Sequence, residues 1–164
     1  YFRDLKNTGR SKKIIDETAR SSEEIIGKLG DPSSLDEFYI KGLVVGEVQS
    51  GKTGNFNAVI NRAIDSGYGL IVILSGIMED LRSQTQKRLE NDLVGYTVDR
   101  NGSINRIGVG IQKEQTELKR GCNLLTRKDE DFNRATALIL EKLYESISNG
   151  LSWFYRLSTI NQTA

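Results

Sequence analysis

Eight consecutive residues, Gly46-Glu47-Val48-Gln49-Ser50-Gly51-Lys52-Thr53, satisfy the spacing G-x-x-x-x-G-K-[ST] at every fixed position. Each residue type has a physical task in holding a nucleoside polyphosphate. Gly46 and Gly51 permit the dihedrals of a tight loop, and the successive backbone N–H groups of such a loop form a nest for the β-phosphate. Lys52 brings an ammonium to the β- and γ-phosphates, while the Thr53 hydroxyl is suited to ligate Mg2+. A helix starting here adds the positive end of its dipole. A glycine-rich strand-to-helix turn that binds nothing can show the same spacing, so the flanking elements decide.

Those flanks have the required pattern. Phe38-Tyr39-Ile40 and Gly42-Leu43-Val44-Val45 form a short apolar run that predicts a buried parallel strand leading into the loop. Phe56, Val59, Ile60, Ala63 and Ile64 then fall at i, i+3, i+4, i+7 and i+8, one face of a helix that Ser66-Gly67-Tyr68-Gly69 ends. Leu70 to Leu74 predicts a second buried strand. Strand, loop, helix and strand make a βαβ unit, whose crossover is right-handed and lies on a parallel sheet. A second helix is expected from about Glu79 to Glu90, with Met78, Leu81, Thr85 and Leu89 inward and Arg82, Gln86 and Asn91 outward. Asn101-Gly102 signals a turn, Ile107 to Ile111 a third strand, and Phe132, Ala135, Ile139, Leu143 and Ile147 a third helix.

Upstream, residues 1–20 are polar and basic-leaning and read as a solvated helical lead-in. Ser21 to Glu24 offers a capping box for a helix bearing Ile25, Ile26 and Leu29, which Gly30-Asp31-Pro32 ends.

Composition narrows the chemistry. The 164 residues contain no histidine, which excludes Ser-His-Asp and Cys-His catalysis and the HExxH zinc site from this chain. A single cysteine, Cys122, makes neither an internal disulfide nor a multi-thiolate metal site and suits a reduced, cytoplasmic setting. The longest apolar run, Leu70 to Leu74, falls far short of the roughly 20 residues of a membrane span. With 23 Lys plus Arg against 22 Asp plus Glu, any nucleic-acid contact has to come from local patches. The only methionine is Met78, so the chain is expected to be part of something longer.

The loop and its surroundings resemble the Z-one domain family, a bacterial group of helicase-like ATPases that is labelled as endonucleases. The resemblance rests on Gly42-Leu43-Val44-Val45-Gly46, Val48-Gln49-Ser50-Gly51-Lys52-Thr53, Asn55, Asp65-Ser66-Gly67-Tyr68, Ile71-Val72-Ile73-Leu74-Ser75-Gly76, Leu81-Arg82-Ser83-Gln84-Thr85-Gln86 and Arg88-Leu89. Leu125-Thr126, Asp131-Phe132-Asn133 and the upstream Leu29-Gly30-Asp31-Pro32 extend it over most of residues 14–135.

The resemblance implies an α/β fold: a RecA-like P-loop NTPase domain over residues 36–164, with a parallel sheet flanked by helices, preceded by an N-terminal helical extension over 1–35. It also implies ATP rather than GTP, a motor that acts on nucleic acid, chiefly DNA, and a role in restriction or phage defence with partner subunits. Gly46 to Thr53 would be helicase motif I. Residues 75–84 would be motif Ia, which touches the phosphates of a single strand, with Arg82, Gln84, Lys87 and Arg88 as candidate contacts. The alternative for those four is a solvated helix face.

Other parts of such a motor are not evident. Asp129-Glu130-Asp131 follows Arg127 and Lys128, which interrupt the apolar strand that a magnesium-holding Asp-Glu pair requires, so it reads as an acidic cluster opening a helix. The threonine-alanine-threonine-proline stretch of the family and the second RecA-like domain with its arginine finger are absent, and the expected domain is therefore incomplete. Ser158-Thr159-Ile160-Asn161 resembles a family segment that follows the Asp-Glu pair, which implies an interruption of the numbering near 140–158.

Three other functions compete. Asp99 with Glu117 and Lys119 could imitate the D…ExK metal site of a nuclease, although Glu117 sits in a polar helical stretch. A small P-loop kinase places its loop nearer the N-terminus and adds an arginine-bearing lid. A regulatory module could bind nucleotide without hydrolysing it.

Overall fold

A computed structural model of the chain describes residues 1–7, 9–34, 36–45, 52–75, 78–99, 101–111, 123–127, 133–138, 141–142 and 156–161. The chain divides into two compact units, Tyr1–Tyr68 and Gly69–Ala164. The boundary expected at residue 35 therefore falls inside the first unit.

The first unit is helical. Helix α1 spans Phe2–Asn7 and α2 spans Lys12–Ile26, and Gly9 between them has φ 76°, a left-handed value that stops α1. The N-cap of α2 is Ser11, whose hydroxyl accepts from the Ile14 amide at 3.4 Å. The capping box expected at Ser21 is thus not a helix start. The helix runs through it because Ser21 and Ser22 have tertiary partners instead: Ser21 Oγ accepts from Asn55 Nδ2 at 2.9 Å, and Ser22 Oγ accepts from Arg62 Nε at 3.0 Å. The C-cap is Gly27, three residues before the expected stop.

Helix α3 spans Lys52–Asp65. It ends in a Schellman arrangement, with Gly67 N–H donating to Ile64 O, Tyr68 N–H donating to Ala63 O, and Gly67 at φ 99°. Its partner is α2. Ile15 of α2 and Ala58, Ile60 and Ala63 of α3 supply the buried apolar side chains of this unit, joined by the polar Ser22 and Asn57. Phe56, expected inward, is exposed. The stripe is turned because Arg62 is committed to α2, where its Nη2 donates to Ala19 O at 3.1 Å, as well as to Ser22.

The expected strand over Gly42–Val45 is not formed. Residues 36–45 carry no strand, and Leu43 and Val45 are 87% and 85% exposed. A strand needs an edge to pair with, and the described part of this unit offers only helices. Phe38 alone leans inward, its ring lying where a side chain on Gly30 would be.

The second unit carries the sheet. Strand β1 (Leu70–Ser75) is followed by α4 (Glu79–Leu89), a π-helical turn at Glu90–Val94, β2 (Tyr96–Val98), β3 (Ile104–Arg106), β4 (Asn123–Leu124) and β5 (Arg156–Asn161). β1 pairs parallel with β5, from Leu70 opposite Arg156 to Ser75 opposite Asn161, and β4 pairs parallel with β5 at Asn123 opposite Arg156. The order is β1-β5-β4, and α4 lies against β1 and β5. β1 occupies the expected residues but is buried on one face only. Ile73 is inside, whereas Leu70, Val72 and Leu74 are exposed.

β2 and β3 form an antiparallel hairpin closed at the Asn101-Gly102 signal. Gly102 has φ 82°, and Asp99 Oδ1 accepts from the amides of Asn101 and Ser103 at 3.0 and 2.8 Å. The expected strand at Ile107–Ile111 is instead a 3-10 turn at Gly108–Gly110, since these glycines sit against the end of the π-helical turn rather than along a ladder. Residues 134–138 are helical, capped by Asn133, whose Oδ1 accepts from the Ala135 amide at 2.8 Å, but Ala135 is exposed rather than inward. Among the described residues, no helix is long and apolar enough to cross a membrane.

The glycines at the end of the π-helical turn give a direct test of the packing. A Cβ on Gly110 would collide with the Gly95 backbone, whereas Gly102 has only its positive φ and open space around it. Gly110→Ala should therefore cost about 1–3 kcal/mol or more through overpacking. Gly102→Ala should cost only about 1–2 kcal/mol of left-handed strain. Urea unfolding midpoints of the two variants read the difference.

Candidate functional site

The loop residues Gly46, Glu47, Val48, Gln49, Ser50 and Gly51 lie outside the described residues, and the description of the candidate site begins at Lys52. The described residues resume at Lys52 in helix α3, so a helix lies directly after the loop, as the motif requires. Thr53 follows in the first turn and is exposed. No acidic residue stands in that turn, so nothing in α3 itself neutralises the positive end of its dipole.

The rest of the unit holds this helix start in place. Tyr1 Oη donates to Gly54 O at 3.0 Å, and Asn55 Nδ2 donates to Ser21 Oγ. Asn55 Oδ1 is buried with no hydrogen-bond partner among the described residues. About two turns further on, Arg62 bonds to Ser22 and to Ala19 O and stacks over the Phe2 ring at 5.5 Å. The first turn of α3 is thus tied to Tyr1 and to α2 by polar contacts, with Thr53 left exposed.

The four residues singled out for nucleic acid do not share one surface. Gln84, Lys87 and Arg88 are exposed on α4, with Lys87 and Arg88 in its last turn, where cations favour the dipole. Arg82 is 1% exposed. Its Nε and Nη2 donate to the two carboxylate oxygens of Glu79 at 2.9 and 2.5 Å, and its Nη1 donates to Arg127 O at 3.1 Å. Its neighbour one turn on is equally committed. Gln86 Nε2 donates to Glu90 Oε1 at 2.9 Å and to Thr126 O at 3.1 Å, and Thr126 Oγ1 donates back to Gln86 Oε1 at 2.9 Å.

The expected faces of α4 hold for Leu89, which is inward, and for Asn91, which is outward, but are reversed at Met78, Leu81, Arg82 and Gln86. Met78 and Leu81 are exposed, and Arg82, Gln86, Leu89 and Glu90 are buried. Taking a guanidinium out of water costs several kcal/mol unless it is paired and hydrogen-bonded, and here its donors meet a bidentate carboxylate and a carbonyl. Sequence reasoning missed Gln86, Glu90 and Thr126 as a group. The available signal was the spacing of Arg82, Gln86 and Glu90 at i, i+4 and i+8, a polar stripe with the same helical period as an apolar one.

No group of three or more His, Cys, Asp or Glu side chains that could hold a metal occurs among the described residues. Asp99, half of the imagined nuclease pair, is used in closing the β2–β3 turn. Glu117, Lys119 and Asp129-Glu130-Asp131 lie outside the described residues. Comparison with protein-family models, with curated proteins and with solved structures finds no match to this chain.

Two tests separate this arrangement from the expected one. Gln86→Ala strands buried groups of Glu90 and Thr126 and should cost about 1–3 kcal/mol, against about 0.5 kcal/mol or less for Gln84→Ala on the exposed face. Denaturant midpoints decide between the two. The second test is acid. Hydrogen bonds from Arg82, with its charge adding a smaller pull, hold the Glu79 carboxyl below its ordinary value of 4.5. A depressed folded value stabilises fully above the unfolded value and is lost as pH falls through the folded one. Melting temperature should drop as pH is lowered beneath that ordinary value, and less steeply in Glu79→Gln.

Proposed function

We propose that this chain is the ATP-binding part of a helicase-like, nucleic-acid-directed motor of restriction or phage-defence type, related to the Z-one domain family and built on a RecA-like α/β domain. The observation that carries the reading is the coincidence of the G-x-x-x-x-G-K-[ST] spacing with a helix that lies directly after the loop. An exposed Thr53 and a first turn without acidic side chains suit a magnesium-bound polyphosphate.

In this reading Mg2+ lies at Thr53 and offsets charge on the phosphates, while Lys52 contacts the β- and γ-phosphates and supplies part of the transition-state stabilisation. The carboxylate that orients water and the arginine finger belong to residues not assigned here, so this chain binds ATP and the longer protein hydrolyses it. The fold reading requires Gly42–Val45 to take a place in the parallel sheet, which these residues do not have in this structure. Gln84, Lys87 and Arg88 remain the candidates on α4 for phosphate contacts with a single strand of DNA. Arg82 is withdrawn from that set.

Magnesium-ATP at a hundredfold excess over its Kd should stabilise the chain by about 2.7 kcal/mol, read as a rise in melting temperature. Lys52→Ala should abolish the rise. Equal shifts in both proteins would remove the site from Lys52. In the longer protein, single-stranded DNA should raise the rate of ATP turnover, measured by phosphate release.

A further inference from the structure

The chain is almost neutral as a whole, yet its charge is unevenly spread. Residues 1–20 hold six cations and three acids, while the remaining residues carry 17 cations and 19 acids and are net acidic. Within that stretch, residues 5–15 contain Lys6, Arg10, Lys12 and Lys13 and no acid. These four cations occupy the end of α1, the turn after it and the first turn of α2. All four are exposed, as is Arg3 on the same short helix, and none takes part in an ion pair among the described residues.

The charge order is the reverse of what helix stability favours. α4 places Glu79 and Asp80 in its first turn and Lys87 and Arg88 in its last, as its dipole prefers. α2 has no acid in its first turn and no base in its last. Instead Lys12 and Lys13 crowd the positive end, beside Arg10. Lys12 and Lys13 oppose the dipole at this end and are offset in part by Asp16 and Glu17 four residues on, whereas no acid stands within the four residues after Lys6 or Arg10.

The aromatic side chains at the start of the chain have partners within unit 1: Tyr1, just ahead of α1, bonds to Gly54 O, and Phe2 of α1 lies under Arg62. A helix lying on a membrane needs a free apolar face beneath its basic one, and α1 has already used its own. A chain of phosphates needs only the cations.

We propose that Arg3, Lys6, Arg10, Lys12 and Lys13 form a second nucleic-acid contact surface, one that grips the sugar-phosphate backbone without reading bases. The proposal rests on the nucleic-acid-directed function given above and adds a contact surface outside α4. That surface is also linked to the candidate nucleotide site, because Tyr1, which leads into the α1 that carries Arg3 and Lys6, bonds to Gly54 in the first turn of α3. The five side chains form a sequence-independent electrostatic grip whose strength falls with salt.

The test is fluorescence anisotropy of a labelled single-stranded oligonucleotide titrated with the whole 164-residue chain at several salt concentrations, without ATP. Lys12→Glu/Lys13→Glu removes two contacts. Its affinity should fall about tenfold, and the slope of log affinity against log salt should shrink by about 1.4, at about 0.7 per phosphate contact on a single strand. The same variant should melt close to the parent, since the gain from acids at the positive end of α2 is offset by their repulsion with Asp16 and Glu17 four residues on. Loss of binding together with a lower melting temperature would mean damage to the fold and overturn the proposal. Unchanged affinity and slope overturn it while leaving the motor reading intact. A parent chain that binds no oligonucleotide overturns both. Binding to phosphatidylserine vesicles that the variant loses, with oligonucleotide affinity unaltered, overturns it in favour of a membrane surface. Lys52→Ala separates the two claims, since it should leave oligonucleotide affinity in place while removing the response to magnesium-ATP.

Discussion

A hydrogen-bonding side chain taken out of water has to be answered, and in both compact units that requirement sets how the helices lie. In the first unit Arg62 of α3 meets Ser22 Oγ and Ala19 O of α2, and Asn55 meets Ser21. In the second, Arg82 and Gln86 of α4 meet Glu79, Glu90, Thr126 and Arg127 O. An unanswered buried group costs about 1–3 kcal/mol, more if charged, whereas a helix turned by some tens of degrees gives up only part of the burial of one or two apolar side chains. The polar pins therefore outrank the apolar stripe. That is why Phe56 stays exposed on a helix turned by Arg62, and why Leu81 faces water while Arg82 does not.

The same balance explains which features were legible in the sequence. Local backbone chemistry read well: the end of α3 at Ser66-Gly67-Tyr68, the extent of β1 and the turn at Asn101-Gly102 all follow from glycine dihedrals and short-range bonds. Features that depend on partners read poorly. Ser21 to Glu24 has the form of a capping box, but Ser11 follows a left-handed Gly9 and starts the helix first. The face of α4 was assigned by apolarity, and the apolar signal is weak where Arg, Gln and Glu recur at the same period as Leu. Gly42–Val45 has the composition of a strand, yet composition supplies no edge for it to pair with.

The candidate site divides along the same line. The phosphate-loop motif is a matter of spacing alone, and its residues 46–51 lie outside the described residues. The α4 candidates are a matter of which way a side chain turns, and one of the four turned inward. Arg82 and Lys87 are indistinguishable as cations in a sequence, but the guanidinium can satisfy a carboxylate with two parallel bonds and still reach a carbonyl, whereas an ammonium is a hydrated point charge. The buried position therefore takes arginine, and the exposed end of the helix can take either.

The first turn of a helix has backbone amides that no residue of that helix can satisfy, so its preference for anions belongs to the backbone rather than to any side chain. At α3 that preference is undiluted by acids, and the first turn is bonded to Tyr1 and to Ser21 of α2. If residues 46–53 hold a phosphate, as proposed, it meets a helix already held by these bonds, and little of the binding energy goes into ordering α3. The choice of base, the attack of water and any coupling to nucleic acid would then rest on residues outside this helix.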